Sequence, residues 1–202
     1  MKPFTTVGGV AAPLPASNIN TDVIMPKQFL KGIDRSGLDR GVFHDLRFDA
    51  TGAERPDFVL NRAPWRQAGF LVVGPNFGCG SSREHAVWGL SQLGIRALIG
   101  TSFAGIFFDN CARNGLLAVT VGDDDIDPLM ERASDPTRTS FEVDLLNQRI
   151  ATSDGFTVRF GIEPTRREAL LEGLDAVGAT LRYRDEITAF ERSYLETNPW
   201  SA

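Results

Sequence analysis

The sequence predicts an α/β domain: a parallel or mixed sheet flanked by helices. Its 202 residues suffice for one domain, and 42% hydrophobic with 23% charged residues is a globular composition. The middle of the chain alternates short apolar runs with amphipathic segments, a pattern typical of parallel strands joined by right-handed helical crossovers. We therefore expect a single domain over residues 1–202.

The first third of the chain, residues 5–64, predicts strands and loops. Val23-Ile24-Met25 is a short apolar run that ends at Pro26, which favours a strand. A long polar stretch punctuated by glycine follows, and a structureless stretch of this length is unusual inside a compact domain. We expect a binding loop at about residues 27–55.

The middle third contains the clearest alternation. Strands are predicted at residues 70–73, 95–99 and 116–121, and the first is apolar throughout, as in a strand buried on both faces. A helix is predicted from Ser81 or Ser82 to about Leu93, with Gly94 as its end. A second helix is predicted over residues 102–114, with an apolar stripe made of Phe103, Ile106, Phe107 and Cys111.

The acidic run at residues 123–127 opens the last third. It lacks the glycine and the distal glutamate of an EF-hand loop, so it predicts the capped start of a helix over residues 126–133. Residues 140–146 and 156–160 alternate apolar and polar side chains around Asp154-Gly155, which predicts a hairpin.

Two helices are predicted in a C-terminal extension at about residues 163–198. One apolar stripe comprises Leu170, Leu174, Val177 and Leu181, and the other comprises Ile187, Phe190 and Tyr194. We expect a structural role for both helices.

Charge and composition exclude several functions. The net charge of −5 argues against a general nucleic-acid or membrane-surface binder, because an acidic surface repels polyanions. The N-terminus has no signal-peptide pattern and no stretch approaches about 18 apolar residues, so a cytoplasmic protein is expected. Cys79 and Cys111 are too few to hold an iron-sulfur cluster or a structural zinc, and we expect no metal bound by this chain alone.

The glycine-rich segment after the first middle strand predicts an anion site. Gly78 and Gly80 allow a tight turn and a close approach of the backbone to a ligand. Ser81, Ser82 and Arg83 are then expected on the first helical turn, where free N–H groups create positive potential. The guanidinium of Arg83 matches a carboxylate or a phosphate bidentately.

Other anion-binding or nucleophile motifs do not fit this segment. A Walker loop needs a lysine that is missing, and a dinucleotide-binding turn needs glycine where Arg83 stands. A cysteine phosphatase would place its arginine further from the nucleophile than Arg83 lies from Cys79, and a hydrolase elbow would need glycine at Glu84. One structural alternative stays open: a serine that caps the helix, with Glu84 in a variant of the capping box.

The nine residues from Gly78 to Ala86, GCGSSREHA, resemble the signature of the swivelling domain of the aconitase superfamily. With Asn76 and Phe77 before them, they are similar to the small subunits of 3-isopropylmalate dehydratases. Similarity runs from about residue 17 to 191 and includes NINTDVIMPKQFL (18–30), FHDLR (43–47), SFAGIFFDNC (102–111) and LLEGLD (170–175). The resemblance implies a swivelling β/β/α domain of the aconitase type.

The resemblance also implies a function. The chain would be the small subunit of a hydro-lyase that isomerises 2- and 3-isopropylmalate by dehydration and rehydration in leucine biosynthesis. It would be active only with a large subunit, whose three cysteines hold a [4Fe-4S] cluster with one iron open to the substrate's hydroxyl and carboxylate. This chain itself would bind no cofactor, and its ligand would be a small hydroxy dicarboxylic acid.

Alternatives remain open within and outside this family. Val87 and Asn20 stand where proline and aspartate are frequent in the family, which leaves the substrate open. Related small subunits act on methylmalate (citraconate), homoaconitate or dimethylmalate. A non-catalytic anion-binding module is the alternative from another class.

Residue roles follow from the resemblance. Ser81 would be the catalytic base, acting as an alkoxide, while Ser82 and Arg83 would bind a substrate carboxylate. The supporting residues would be Gly78, Cys79, Gly80, Glu84 and His85.

Two further positions lie outside the glycine-rich segment. Asp22 would orient or pair with groups at the site. Arg35 would be a second carboxylate-binding arginine, with Lys31 as its rival. The loop at about residues 27–55 would then contact the substrate's side chain.

Overall fold

The computed structural model describes residues 1–31 and 35–201, and its centre is a mixed sheet of seven strands in the order β4-β3-β2-β1-β5-β6-β7. Strands β1 to β4 pair in parallel, whereas β5, β6 and β7 continue from β1 as antiparallel neighbours. The strands are β1 (Thr6–Leu14), β2 (Ala68–Val73), β3 (Ala97–Gly100), β4 (Leu117–Thr120), β5 (Ser140–Asp144), β6 (Arg149–Thr152) and β7 (Thr157–Arg159). The predicted mixed α/β architecture is confirmed.

Helices surround this sheet. The α-helices are α1 (Thr21–Ile24), α2 (His44–Arg47), α3 (Glu84–Leu93), α4 (Gly105–Arg113), α5 (Asp123–Ser134), α6 (Pro164–Glu172), α7 (Ala176–Leu181) and α8 (Arg184–Thr197). Short 3-10 helices lie at Lys27–Leu30, Leu38–Gly41, Val59–Asn61, Trp65–Gln67 and Pro199–Ser201. Within the residues described, no helix has the length and apolar character needed to span a bilayer.

Strand β2 is buried on both faces, as its continuous apolar sequence predicts. Leu71 and Val73 contribute to a core that also contains residues of α3 and α4. Phe70 and Val72 point to the opposite face, where the second core includes residues of α5 and α6. The two cores hold β2 at the centre of the domain and fix where its C-terminal end lies.

Two predictions of local structure, one before Pro26 and one after the glycine-rich turn, are wrong. Val23-Ile24-Met25 is not a strand: the side chain of Asn20 accepts a hydrogen bond from the Val23 N–H (2.9 Å) and starts helix α1. Helix α3 begins at Glu84, not at Ser81 or Ser82, because Arg83 still has extended backbone angles (φ −105°, ψ 103°). The two serines and Arg83 therefore precede the helix.

Other departures concern pairing and exposure. The predicted hairpin is wrong in its partners, because β5 pairs with β6 and the Asp154-Gly155 turn joins β6 to β7. Helix α5 starts at Asp123, so the acidic residues form its first turn. Ile106 is 58% exposed and does not belong to the apolar stripe of α4, whereas Phe107 and Cys111 are buried.

The C-terminal helices do not pack as expected. The first predicted helix is divided, because Gly173 ends α6 with a positive φ (+69°) and α7 begins only at Ala176. Leu170 of α6 is buried, but large apolar side chains of α7 and α8 face solvent. The exposed residues are Val177, Leu181, Ile187, Phe190 and Tyr194. In the predicted binding loop, residues 32–34 lie outside the described residues, and the rest contains short helices including α2.

Three loops meet at one edge of the sheet. Because β1, β2 and β3 are parallel, the segments that follow them leave the sheet at the same edge. Phe77 in the loop after β2 forms an isolated parallel bridge with Phe103 in the loop after β3. The Asn76 N–H donates to the hydroxyl of Ser102 (2.9 Å), which holds these two loops together.

Gly78 is required at this junction for two reasons. Its φ of +77° is a conformation that side chains rarely adopt, and a Cβ at this position would overlap the ring of Phe107. Phe107 is itself buried and packs edge-on against Phe77, with ring centroids 5.6 Å apart. A side chain at Gly78 would therefore displace either the turn or helix α4.

We expect Gly78→Ala to lower the free energy of unfolding by about 2–5 kcal/mol, from backbone strain together with overpacking. Urea unfolding measures this loss. Gly155→Ala is the matched control, because Gly155 also has a positive φ (+85°) but has nothing near its Cβ position. It should lose only the backbone contribution, about 1–2 kcal/mol. Equal losses in the two variants would show that the contact with Phe107 does not constrain the turn.

Candidate functional site

The glycine-rich turn is held by a second segment some sixty residues earlier in the chain. The two run side by side, and an isolated parallel bridge joins Asn20 to Cys79. Three backbone hydrogen bonds connect them: Asn18 N–H to the Pro75 carbonyl (2.9 Å), Gly78 N–H to the Ile19 carbonyl (2.8 Å), and Thr21 N–H to the Cys79 carbonyl (2.9 Å). We call residues 18–22 the clasp segment.

The two serines follow this pairing and face solvent. Both Ser81 and Ser82 are exposed, and the Arg83 N–H closes a tight turn on the Ser81 carbonyl (2.9 Å). Within the described ranges the Ser82 hydroxyl has no hydrogen-bond partner. The N-cap position of α3 is taken by Arg83 without a side-chain hydrogen bond, so the alternative of a serine cap is wrong. The serine hydroxyls are therefore not used to build the helix.

The clasp segment also touches the serine turn through Thr21. The Thr21 hydroxyl donates to the Ser81 carbonyl oxygen (2.9 Å) and lies 3.4 Å from the Ser81 hydroxyl oxygen. Thr21 is buried, with 1% of its surface exposed. Thr21 is not among the residues that the sequence indicates, since its only signal is its place beside Asp22 in a block that resembles the family.

Arg83 forms an ion pair with Asp22 of the clasp segment. The contact joins a guanidinium Nη1 that is largely buried, in a side chain 15% exposed, to an Oδ1 of a carboxylate that is 46% exposed. The Arg83 guanidinium holds the pKa of Asp22 below its ordinary value. Asp22 thus lies beside the serine turn and is paired with Arg83.

Glu84 and His85 lie in the first turn of α3, and their side chains contact Asn114 and Trp88. The Glu84 carboxylate accepts a hydrogen bond from the Asn114 side chain (2.7 Å), which ties α3 to the end of α4. The His85 ring packs on Trp88 with centroids 4.7 Å apart, and the Trp88 indole N–H donates to Asn114 (2.8 Å). These contacts fix the helix that follows the serine turn.

Arg35 lies against helix α3. Its guanidinium is 4.1 Å from the centre of the Trp88 ring, and its carbonyl accepts a hydrogen bond from the Gln92 side chain. Arg35 and His85 thus both pack against the Trp88 ring. Arg35 does not pair with the serine turn in this structure. Lys31, its rival, is exposed.

The two cysteines do not form a metal site. Cys79 is half-buried on the turn, where its thiol donates to the Asn18 carbonyl (3.4 Å). Cys111 is fully buried in the core, and burial raises the pKa of its thiol. Across residues 1–31 and 35–201, no group of three or more His, Cys, Asp or Glu side chains could hold a metal ion. The described residues thus offer no ligand set of the kind that holds an iron-sulfur cluster.

The Asp22 carboxylate should titrate below its ordinary pKa of 3.8, and Arg83→Ala should move its midpoint back up toward that value. The reason is that the pair favours the charged carboxylate, so it persists at neutral pH and is lost as pH falls through the depressed pKa. Carboxyl-carbon NMR of the two proteins measures both midpoints.

Asp49 is an internal control in the same spectra. Its pKa is also lowered, but by hydrogen bonds from Thr51 and neighbouring backbone N–H groups, so Arg83→Ala should leave it unchanged. An Asp22 midpoint that does not respond to the substitution would show that the ion pair is absent in solution.

Comparisons with known proteins agree with this fold and show its family. Residues 1–124 match the aconitase C-terminal domain, and residues 177–201 match the C-terminal domain of 3-isopropylmalate dehydratase small subunits. Small subunit 1 of the Mannheimia succiniciproducens 3-isopropylmalate dehydratase is 58% identical over 200 residues, covering 99% of this chain and 98% of the relative. Small subunit 2 from Salmonella typhimurium is 52% identical, covering 99% and 96%.

A solved structure shows the same fold. The crystal structure of a 3-isopropylmalate dehydratase from Methanocaldococcus jannaschii superposes with a TM-score of 0.66 at 26% sequence identity, covering 93% of this chain and 99% of that one. The matched family model spans well over half of the chain, and the curated relatives match it from end to end. The chain belongs to the family of 3-isopropylmalate dehydratase small subunits, whose body is the aconitase-type C-terminal domain.

Proposed function

We propose that this chain is the small subunit of a cytoplasmic hydro-lyase that interconverts 2-isopropylmalate and 3-isopropylmalate by dehydration and rehydration, in leucine biosynthesis. One observation carries the proposal: two exposed serine hydroxyls stand beside a positioned arginine on a turn that the fold does not use for capping. The identity to curated small subunits over the full chain supports the same activity.

Ser81 is the proposed base. Its hydroxyl oxygen, as an alkoxide, takes the proton from the carbon next to the one that carries the leaving hydroxyl. A serine hydroxyl is a poor base unless the anion is stabilised, which requires positive potential and nearby donors. Arg83 and the N–H groups at the start of α3 follow Ser81 in the chain, and we assign to them the positive potential and the donors that this step needs.

Arg83 and Ser82 are proposed to bind a substrate carboxylate. A guanidinium has five N–H donors, so its contact with Asp22 leaves donors for a second carboxylate. Ser82 adds a neighbouring hydroxyl that is free to donate, since the described residues offer it no partner. Arg35 is proposed as a second carboxylate ligand that leaves Trp88 when the substrate binds.

The partner is proposed to be a large subunit that carries a four-iron, four-sulfur cluster. This chain has only two cysteines, and Cys111 is buried in the core, so it lacks the thiolates that such a cluster needs. The residues of this chain therefore contribute the base and the carboxylate contacts, and the chain alone should show no turnover.

We expect Ser81→Ala to lower kcat of the complex by about 100- to 10,000-fold, the usual contribution of a general base. Both subunits are expressed together under anaerobic conditions, and the complex is assayed with 2- and 3-isopropylmalate. Ser153→Ala, an exposed serine distant in the sequence, is the matched control and should retain activity. Wild-type turnover by the Ser81→Ala complex would exclude Ser81 as the base.

The same assay separates the alternatives. A panel that includes methylmalate, homoaconitate and dimethylmalate identifies the substrate by its kcat/KM. A complex that turns over none of these acids but still binds them would favour a non-catalytic anion-binding module.

We expect Arg83→Lys to raise KM and to lower kcat/KM by about 10- to 100-fold, because lysine loses one charge-assisted hydrogen bond of the bidentate pair. Steady-state kinetics of the reconstituted complex measure both constants. Arg159→Lys, at an exposed position on β7, is the control for replacing an arginine by lysine away from the serine turn, and it should leave both constants unchanged. An unchanged KM in Arg83→Lys would remove Arg83 from carboxylate binding.

A further inference from the structure

Thr21 has the contacts of a residue that positions Ser81. Its backbone N–H is bonded to the Cys79 carbonyl, so its place relative to the glycine-rich turn is fixed (2.9 Å). Thr21 is buried, and its hydroxyl oxygen lies close to Gly80. A Cβ added to Gly80 would be 3.6 Å from that oxygen. The hydroxyl faces two oxygens of one residue: the Ser81 carbonyl at 2.9 Å and the Ser81 hydroxyl at 3.4 Å.

A hydroxyl has only one hydrogen to donate, so these two acceptors compete for it. At 2.9 Å the carbonyl is within normal hydrogen-bond distance, whereas 3.4 Å is at the outer limit. With neutral Ser81, the Thr21 hydrogen therefore belongs to the carbonyl. An alkoxide is a much stronger acceptor than a carbonyl, because hydrogen bonds to charged groups are shorter and stronger.

We propose that Thr21 is a positioning residue whose hydroxyl turns from the Ser81 carbonyl to the Ser81 side-chain oxygen when that oxygen is ionised. Rotation of the Thr21 hydroxyl thus gives the Ser81 oxygen a hydrogen-bond donor only when that oxygen is an alkoxide. The proposal rests on the proposed function, in which Ser81 acts as the base. It goes beyond that function by assigning the internal donor that orients and stabilises Ser81.

The charged and titratable residues near Ser81 in the chain, and the carboxylate paired with one of them, belong to three elements. Arg83 follows it on the turn and is paired with Asp22 of the clasp segment. Cys79 precedes it, and its thiol donates to the Asn18 carbonyl. Glu84 and His85 of α3 are held by Asn114 and Trp88. Replacing Thr21 with valine changes none of these groups, so its effect on the pH profile reports the lost hydroxyl.

The test uses the complex reconstituted with the large subunit and compares wild type, Thr21→Val, Thr21→Ser and Ser81→Ala. Thr21→Val should lower kcat at neutral pH by about 10- to 100-fold, the contribution of a hydrogen bond to a charged group. The rising limb of kcat against pH should move to higher pH, because the alkoxide forms less readily. KM should stay near the wild-type value, and Thr21→Ser, which keeps the hydroxyl, should retain most of the rate.

The outcomes distinguish this proposal from the proposed function. If Ser81→Ala is inactive while Thr21→Val keeps the wild-type rate and profile, the positioning role is refuted and Ser81 remains the base. If Ser81→Ala is fully active, both proposals fail. If Thr21→Val and Thr21→Ser lose equal activity with the profile unmoved, Thr21 is only structural. Thr21→Ala gives a second donor-free variant should the valine variant fail to assemble.

Discussion

The parallel pairing of the clasp segment with the glycine-rich turn is the constraint on which the site depends. It follows from the sheet: β1 and β2 are parallel neighbours, so the segments after them leave at the same edge and can bond to each other. The pairing continues past the last strand residue and ends in two side-chain contacts, Thr21 with Ser81 and Asp22 with Arg83. A turn rich in glycine is costly to order, and this pairing is what gives it one conformation.

The ion pair between Asp22 and Arg83 balances two requirements. The chain carries a net charge of −5, so an anion site needs a local excess of positive charge. An unpaired and largely buried guanidinium would be costly, and Asp22 offsets that cost while fixing the direction of the side chain. The compensation also limits the attraction that Arg83 alone exerts on an anion, which is why the proposed function assigns a second carboxylate contact to Arg35.

The sequence predicted those features that depend on local composition. Strand β2 was predictable because both its faces are buried, and the turn was predictable because glycine, serine and arginine occur together. The start of α1 was not predictable in this way, because Asn20 caps the helix and this cap overrides the strand preference of the Val-Ile pair that follows. The start of α3 was misplaced because bonds to the clasp segment, remote in sequence, hold the serines outside the helix. Thr21 was missed for the same reason.

The C-terminal helices show the limit of periodicity as a predictor. A stripe of Ile187, Phe190 and Tyr194 does indicate a helix, and the helix α8 is present. The periodicity indicates that one face of the helix is apolar, but it does not indicate what packs against that face. In the described chain these side chains remain exposed, and the segment is matched by a domain particular to the small subunits rather than by the aconitase-type domain. An amphipathic pattern therefore predicts secondary structure here and leaves its packing undetermined.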